Sequence, residues 1–397
     1  MTRTAPRVAL VTYSVKPRGG VAHTLWLAEA LHRLGADVTV LALGDATKGF
    51  FRPVDAPWSI VGPAAPGSTL EERVFRSVDT MAAALSDLSG QFDLFHTQDC
   101  ISARAAARVR DGGGGIPVVR TVHHVDDFTT PALIDCQRQA ILEPDRILVV
   151  SEHWRALLRN GYGVEASVVY NGADGRRIPP LAPERRAALR RTLGIGDGDG
   201  RFLFLTVGGI EPRKGTVHLL AALGGVKSSV DLSPTLAIVG GHSFQDYTAY
   251  RESALAGLGP LGLHLGEDVV LLGTVSDDEL GEWYGAADAF VFPSLSEGWG
   301  LVVLEAMDAG LPVIATDIAV FREYLTDGQD ALLVAPADAP ALAVAMRQVI
   351  GDADLRHRLA HAGRDVAARF TWEATARRHL QIYAEATADR AMGTART

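Results

Sequence analysis

Short runs of β-branched and aromatic residues alternate along the chain with amphipathic stretches of roughly ten to fifteen residues, the spacing of strands and helices. In the first half the apolar runs predict strands over 8–12, 37–43, 92–95, 118–121, 147–150 and 167–169. A glycine turn after the first strand leads into a helix expected over about 21–34, which Gly35 ends as a C-cap glycine does. Runs that are apolar throughout belong to strands covered on both faces, and intervening helices imply parallel pairing. The pattern then breaks. Residues 174–200 carry Pro179, Pro180, Pro183 and the run GIGDGDG around one short Arg-rich helix, the best linker in the sequence. Its cluster of Arg185, Arg186, Arg190 and Arg191 reads as a solvated face rather than an anion site. Beyond it the alternation resumes, with strands expected over 202–207, 236–239, 269–272, 289–292, 313–315 and 331–334, and three closing helical stretches. The fold class is α/β: two Rossmann-like, doubly wound domains over 1–175 and 176–372, with a last helix over 373–397.

Composition narrows the classes of function. A chain of 397 residues accommodates two domains at ~100–200 residues each. Lys plus Arg number 38 against 47 Asp plus Glu, a formal charge of -9 that repels phosphate backbones and anionic lipid, so nucleic acid is not an expected partner. No run approaches the ~18 apolar residues of a spanning helix, and no apolar leader opens the chain. A cytoplasmic protein without an integral membrane segment is expected. Cys100 and Cys136 fit neither a disulfide framework nor a zinc site and suit a reducing compartment.

A doubly wound domain invites a dehydrogenase reading, but GxGxxG is absent after the first strand of either half. GxxxxGK[ST], GxSxG and HExxH are absent too. What is present is a run from Phe292 through PSLSEGWG into an apolar helix ended by Gly310. Gly298 and Gly300 lie where the chain turns into that helix, whose first N–H groups, near Leu301 and Val302, suit a diphosphate. Glu297 stands just before the helix and Glu305 inside it. Arg213 and Lys214 follow the first strand of the same half, at a turn that opens on the same edge of a parallel sheet. Two fixed cations there would neutralise a diphosphate leaving group.

These pieces come in a definite order: Gly19-Gly20, Thr121-Val-His123, Val169-Tyr-Asn171-Gly172-Ala-Asp174, Arg213-Lys214-Gly215, Glu297 with Glu305, and Phe370-Thr-Trp372. In that order the chain resembles, over nearly its whole length, the retaining family 4 glycosyltransferases of the GT-B fold. The stretches KPRGGVAHTL, HTQDCIS and RTVHHVDDF are similar to a bacterial subgroup linked to nitrilase gene clusters. The resemblance implies two domains facing a central cleft, a last helix crossing back to the first domain, and a nucleoside diphosphate sugar as co-substrate, UDP- or GDP-sugars leading.

The resemblance also implies roles. Glu305 would bind ribose hydroxyls, Arg213 and Lys214 the diphosphate, and Glu297 with Gly298, Trp299 and Gly300 the transferred sugar. Gly208 and Gly209 adjoin the diphosphate contact, in place of the Gly-Arg of many members. Gly273, Thr274 and Val275 would pack on the base, and Gly19 and Gly20 would let the first loop approach the phosphates. His123 would lie near the reacting carbon, so the catalytic set is His123, Glu297, Lys214 and Arg213. Lys16, His23, His96, Gln98, Asp99, His124, Asp126 and Asp127 fall at or after strand ends of the first domain and would line the side of a small-molecule, lipid or glycan acceptor. The His123-His124 pair with Asp126 and Asp127 raises a metal site, but the resemblance implies no metal and no cofactor. The competing readings are a nucleotide-sugar epimerase and a non-catalytic nucleotide-sugar-binding subunit.

Overall fold

The computed structural model describes residues 5–63, 66–173, 181–196, 200–229, 233–241 and 246–394. It divides into two compact units, Met1–Gly172 with Thr371–Thr397, and Ala173–Phe370. The expected boundary at 175–176, together with Asp174, Pro179 and Pro180, lies outside the described residues.

The first unit holds β1 (Val8–Thr12), β2 (Val38–Leu43), β3 (Trp58–Gly62), β4 (Leu94–Thr97), β5 (Val118–Val122), β6 (Arg146–Val149) and β7 (Ser167–Val168). They form one parallel sheet in the order β3-β2-β1-β4-β5-β6-β7. The second unit holds β8 (Phe202–Val207), β9 (Pro234–Val239), β10 (Val269–Gly273), β11 (Ala289–Phe292), β12 (Val313–Thr316) and β13 (Leu332–Val334). Their order is β10-β9-β8-β11-β12-β13, again parallel throughout. Every residue of β1, β4, β9, β11 and β12 is buried, as strands covered by helices on both faces must be.

In each sheet the winding direction reverses once, between β1 and β4 and between β8 and β11. Loops leaving neighbouring strands diverge at such a point and open a crevice at the carboxyl edge, where ligands of doubly wound folds bind. The segments after β1, β4, β8 and β11 are therefore the ones to inspect.

Three departures from the sequence reading have local causes. β3 was not expected; it is an edge strand, nowhere fully buried, with a register shift against β2. β4 starts two residues late because Asp93 is tied to Arg7 by a backbone pair and by its carboxylate, which receives the Arg7 guanidinium at 2.7 Å. The linker arginines are not simply solvated. Arg185 pairs with Glu282 at 2.5 Å, while Arg186 and Arg190 converge on Asp288 at 2.5 and 2.9 Å. These pairs fasten the helix Pro183–Thr192 to the second unit.

The last helix, Trp372–Thr394, packs on the first, Gly19–Arg33, inside the first unit. Gly172 permits this closure: a Cβ there would stand 2.1 Å from the Trp372 nitrogen. No helix among the described residues is long and apolar enough to cross a membrane.

Candidate functional site

In the second unit, β8 runs out through Gly208 and Gly209 into a single 3-10 turn, Pro212–Lys214, and β11 runs out through Pro293 towards Glu297. The two segments are laced together. Leu295 N donates to Arg213 O at 2.7 Å, and Ser294 Oγ lies 3.0 Å from the same carbonyl. Gly215 makes the approach possible; it has φ +65, and a Cβ would lie 2.0 Å from Pro293 O.

Glu297 is the centre of this knot. Its Oε1 accepts from Lys214 Nζ at 2.7 Å, Arg213 Nη1 at 2.9 Å and Ser294 Oγ at 2.6 Å. Burial pushes the Glu297 carboxyl up, but Lys214 and Arg213 outweigh it and hold the group at about 2. Burial also pushes the Lys214 ammonium below its ordinary value, against the pull of Glu297. Among these three groups one carboxylate against two cations leaves a net positive charge, tempered by Glu211, which also acts on Lys214, and the two cations carry more N–H hydrogens than Glu297 can accept. It is a built place for an anion.

The helix Leu301–Asp308 starts beside this cluster, its N-cap Gly300 at φ 88 with a virtual Cβ 2.5 Å from the Phe321 ring. Helix geometry leaves the first-turn N–H groups of Leu301 and Val302 without carbonyls ahead of them. Glu305 follows one turn in, half-buried, its Oε2 accepting from Tyr284 Oη at 3.0 Å. Trp299 turns its ring into an aromatic cluster with Tyr324 and Phe370, and its carbonyl accepts from Tyr324 Oη at 3.0 Å. Only the backbone of the Gly298–Gly300 corner is thus positioned for a ligand. Gly273 closes β10 with φ +69, followed by exposed Thr274 and half-buried Val275.

In the first unit the helix Gly19–Arg33 begins on Gly19 and Gly20 at the carboxyl end of β1, with Lys16 exposed before it. Asp99 caps the helix Cys100–Val109 through Ser102 N and also receives Tyr13 N at 3.0 Å, so it ties the β1 and β4 ends together. His123 is half-buried beyond β5, its Nε2 3.0 Å from Gln98 Oε1. Burial pushes its ring down to about 3. His124 is exposed and lies 3.3 Å from Asp126, Asp127 is exposed, and Gln137 brackets the Asp126 backbone. Among the described residues no group of three or more His, Cys, Asp or Glu side chains could hold a metal ion.

Two acceptor-side residues sit deeper than the sequence reading had them. Because β4 begins late, His96 lies within the strand, fully buried, with Nδ1 on Tyr383 Oη and Nε2 on Thr121 Oγ1. Both of its nitrogens are used inside the protein. His23 is fully buried too, with Nδ1 on Asn171 Oδ1 at 2.8 Å and its ring against His123 and Trp372. Ser294 and Tyr284 beside the glutamates of the second unit, and Tyr383 and His379 beside these histidines of the first, have no local sequence signal.

Known proteins share sequence and fold with this chain. The family described as glycosyl transferases group 1 matches residues 194–366, and Glycosyltransferase Family 4 matches residues 17–177. A phosphatidyl-myo-inositol mannosyltransferase of Mycobacterium leprae is 30% identical over 390 residues, covering 94% of each chain. A D-inositol 3-phosphate glycosyltransferase of a Nocardioides species is 30% identical over 332 residues, 78% of this chain and 71% of that one. Among solved structures, a sucrose-phosphate synthase from Thermosynechococcus elongatus superposes with TM-score 0.80 at 23% identity, over 96% of this chain and 99% of that one. Anabaena HepE in complex with UDP-glucose superposes with TM-score 0.76 at 20% identity, over 97% and 100%. The chain belongs to the family 4 glycosyltransferases and has their GT-B fold.

Proposed function

We propose that this glycosyltransferase takes its sugar from a nucleoside diphosphate sugar, UDP-sugars first and GDP-sugars second, and transfers it with retention of anomeric configuration. The observation that carries the reading is the net-positive knot of Arg213, Lys214 and Glu297, set with the helix start at Leu301 on the edge where β8 and β11 diverge. A diphosphate matches that charge and those donors, and Glu305 one turn further in matches ribose hydroxyls. HepE, of the same fold, binds UDP-glucose.

The bond between the anomeric carbon and the diphosphate breaks, and the acceptor oxygen joins that carbon from the same face. The departing phosphate oxygen takes the acceptor proton, while Lys214, Arg213 and the helix start stabilise its growing charge. Two cations do here what a divalent metal does elsewhere, so the reaction needs none. The acceptor is a hydroxylated small molecule, lipid or glycan. Inositol phosphate is the first to try, after the names of the relatives, and the site of action is the cytoplasm. The likeness to the nitrilase-linked subgroup adds no substrate.

A thermal-shift screen of UDP, GDP, ADP and dTDP tests the donor side. A nucleotide at 100 times its Kd adds ~2.7 kcal/mol, a shift easily read. EDTA is expected to leave that shift and any turnover unchanged; loss on chelation, restored by Mn²⁺, would count against the two-cation scheme. No shift with any of the four would remove the donor reading. NMR of the product anomer separates retention from inversion, and an epimerised sugar formed from donor alone would identify an epimerase instead.

A further inference from the structure

A run of side-chain hydrogen bonds joins the carboxyl edge of the first unit to its last helix. His123 Nε2 meets Gln98 Oε1 at 3.0 Å, and Gln98 Nε2 lies 3.3 Å from His96 Nε2. His96 Nε2 also meets Thr121 Oγ1 at 2.8 Å, and His96 Nδ1 meets Tyr383 Oη at 2.7 Å. Gln98, His96, Thr121 and Tyr383 are all buried. The sequence puts His96, Gln98 and His123 at strand ends but does not mark Tyr383, which is 287 residues from His96.

The chemistry of the groups places the hydrogens. An amide oxygen only accepts, so His123 carries its hydrogen on Nε2. An amide nitrogen only donates, so His96 offers its Nε2 lone pair to Gln98 and to the Thr121 hydroxyl. His96 then carries its hydrogen on Nδ1 and donates it to Tyr383. His96 must be neutral for the run to close, since its Nε2 accepts, and burial pushes both His96 and His123 below the ordinary histidine value. The groups facing His123 are His23, edge-on at 4.6 Å between ring centroids, its neighbour His124, and Arg120 and His379, whose charges would also disfavour protonation.

We infer that Gln98 is a positioning residue of the transfer reaction. It holds the neutral His123 ring by Nε2–H, which leaves the Nδ1 lone pair as the atom that can accept a hydrogen bond from a substrate hydroxyl. Tyr383 on the last helix holds Gln98 in turn, through His96. This rests on the reading of His123 as a residue at the reacting centre.

Protein labelled with ¹⁵N-histidine tests the positioning without any ligand, because the two neutral tautomers have distinct nitrogen shifts. The His123 signal is identified by its loss in His123→Gln. Nε2–H is expected in the wild type and a tautomer mixture in Gln98→Leu; Nδ1–H in the wild type, the state that the opposite amide orientation would impose, overturns the inference. UDP-glucose turnover is the second arm. Gln98→Leu is expected to lower kcat by about 10²-fold, the cost of a ~1 Å misplacement at a reacting centre. KM for UDP-glucose should change less than twofold, since the nucleotide contacts lie in the other unit. Gln98→Glu keeps the acceptor and adds charge beside Nε2–H, so it should restore kcat at high pH and move the acid limb of the profile upward. Wild-type kcat and pH profile in both variants, at wild-type melting temperature, would overturn the positioning role and leave sugar transfer standing. A wild type that neither binds UDP nor turns over UDP-glucose would strike the choice of UDP as donor base instead, and the tautomer would still decide the positioning.

Discussion

Lys214 Nζ sits 2.7 Å from Glu297 Oε1 and 4.7 Å over the ring of Phe292, so one half-buried ammonium is held by a carboxylate and an aromatic face at once. Its place is set by the chain on either side: the 3-10 turn that ends on Lys214, and the left-handed Gly215 that lets the turn meet Pro293. A cation fixed in this way needs no reorganisation when charge develops on a leaving group, which is the condition for electrostatic catalysis.

Lys214→Ala is therefore expected to cost ~10²–10³ in kcat, with a smaller change in donor KM. Lys214→Arg should recover only part, because a planar fork does not replace a compact ammonium. Kinetics on folded variants decide; near wild-type kcat in Lys214→Ala would take the residue out of the site.

The two glutamates should separate. Glu305→Gln is expected to weaken UDP binding by ~1.5–3 kcal/mol, the worth of a hydrogen bond to a charged group. Tyr284→Phe, which releases Glu305 Oε2, should weaken it less. Glu297→Gln should leave UDP affinity nearly intact and lower turnover. Calorimetric titration with UDP measures all three, and equal losses in both glutamate variants would contradict this division.

Acid should loosen the first unit before the second. Burial is the main cause lowering His23, His96, His123 and His379, with His123 at about 3 and His379 at about 4. The unfolded chain binds these protons near pH ~6.5, so their contribution to stability is full above that value and falls as pH drops towards the folded values. Glu297, at about 2, acts lower. Its contribution is present above its unfolded value of ~4.3 and is lost as pH falls towards 2. Melting temperatures are expected to be flat from pH 8 to 7 and to decline below 6.5, less steeply in His379→Asn and with unchanged slope down to pH 5 in Glu297→Gln. A flat profile from pH 7 to 5 would refute the assignment.

Gly215→Ala should fail twice over, by its positive φ and by the Pro293 carbonyl 2.0 Å from the new methyl. A loss of ~2–4 kcal/mol is expected in denaturant titration, at the upper end for single substitutions. A stable, active Gly215→Ala would mean that the two loops do not meet as described.

Strands β1, β8 and β11 fall where the sequence placed them, at Val8–Thr12, Phe202–Val207 and Ala289–Phe292, because each is apolar but for Thr12 and Thr206 and buried on both faces up to the half-buried Val207. Strand β3 escaped the same reasoning because an exposed edge imposes no such pattern on its residues. Arg213, Lys214, Glu297 and Glu305 were legible because short glycine-flanked loops and a helix start carry them. Tyr284, Ser294, His379 and Tyr383 were not, since only the fold decides what they touch. The same holds for Cys100 and Cys136, which lie on two helices packed against each other, each thiol shifting the acidity of the other.

The backbone of Ala173 donates to the carbonyl of Phe370 at 2.8 Å, so the chain enters and leaves the second unit side by side, and the first unit is finished only by residues from 371 onward. On the ribosome these emerge after the whole of the second unit. The second unit thus has all its parts while the nascent first unit still waits, with His23 and His96 lacking their cover from Trp372 and Tyr383. A premature stop codon between 371 and 383 would spare the half that was made second and disable the half that was made first.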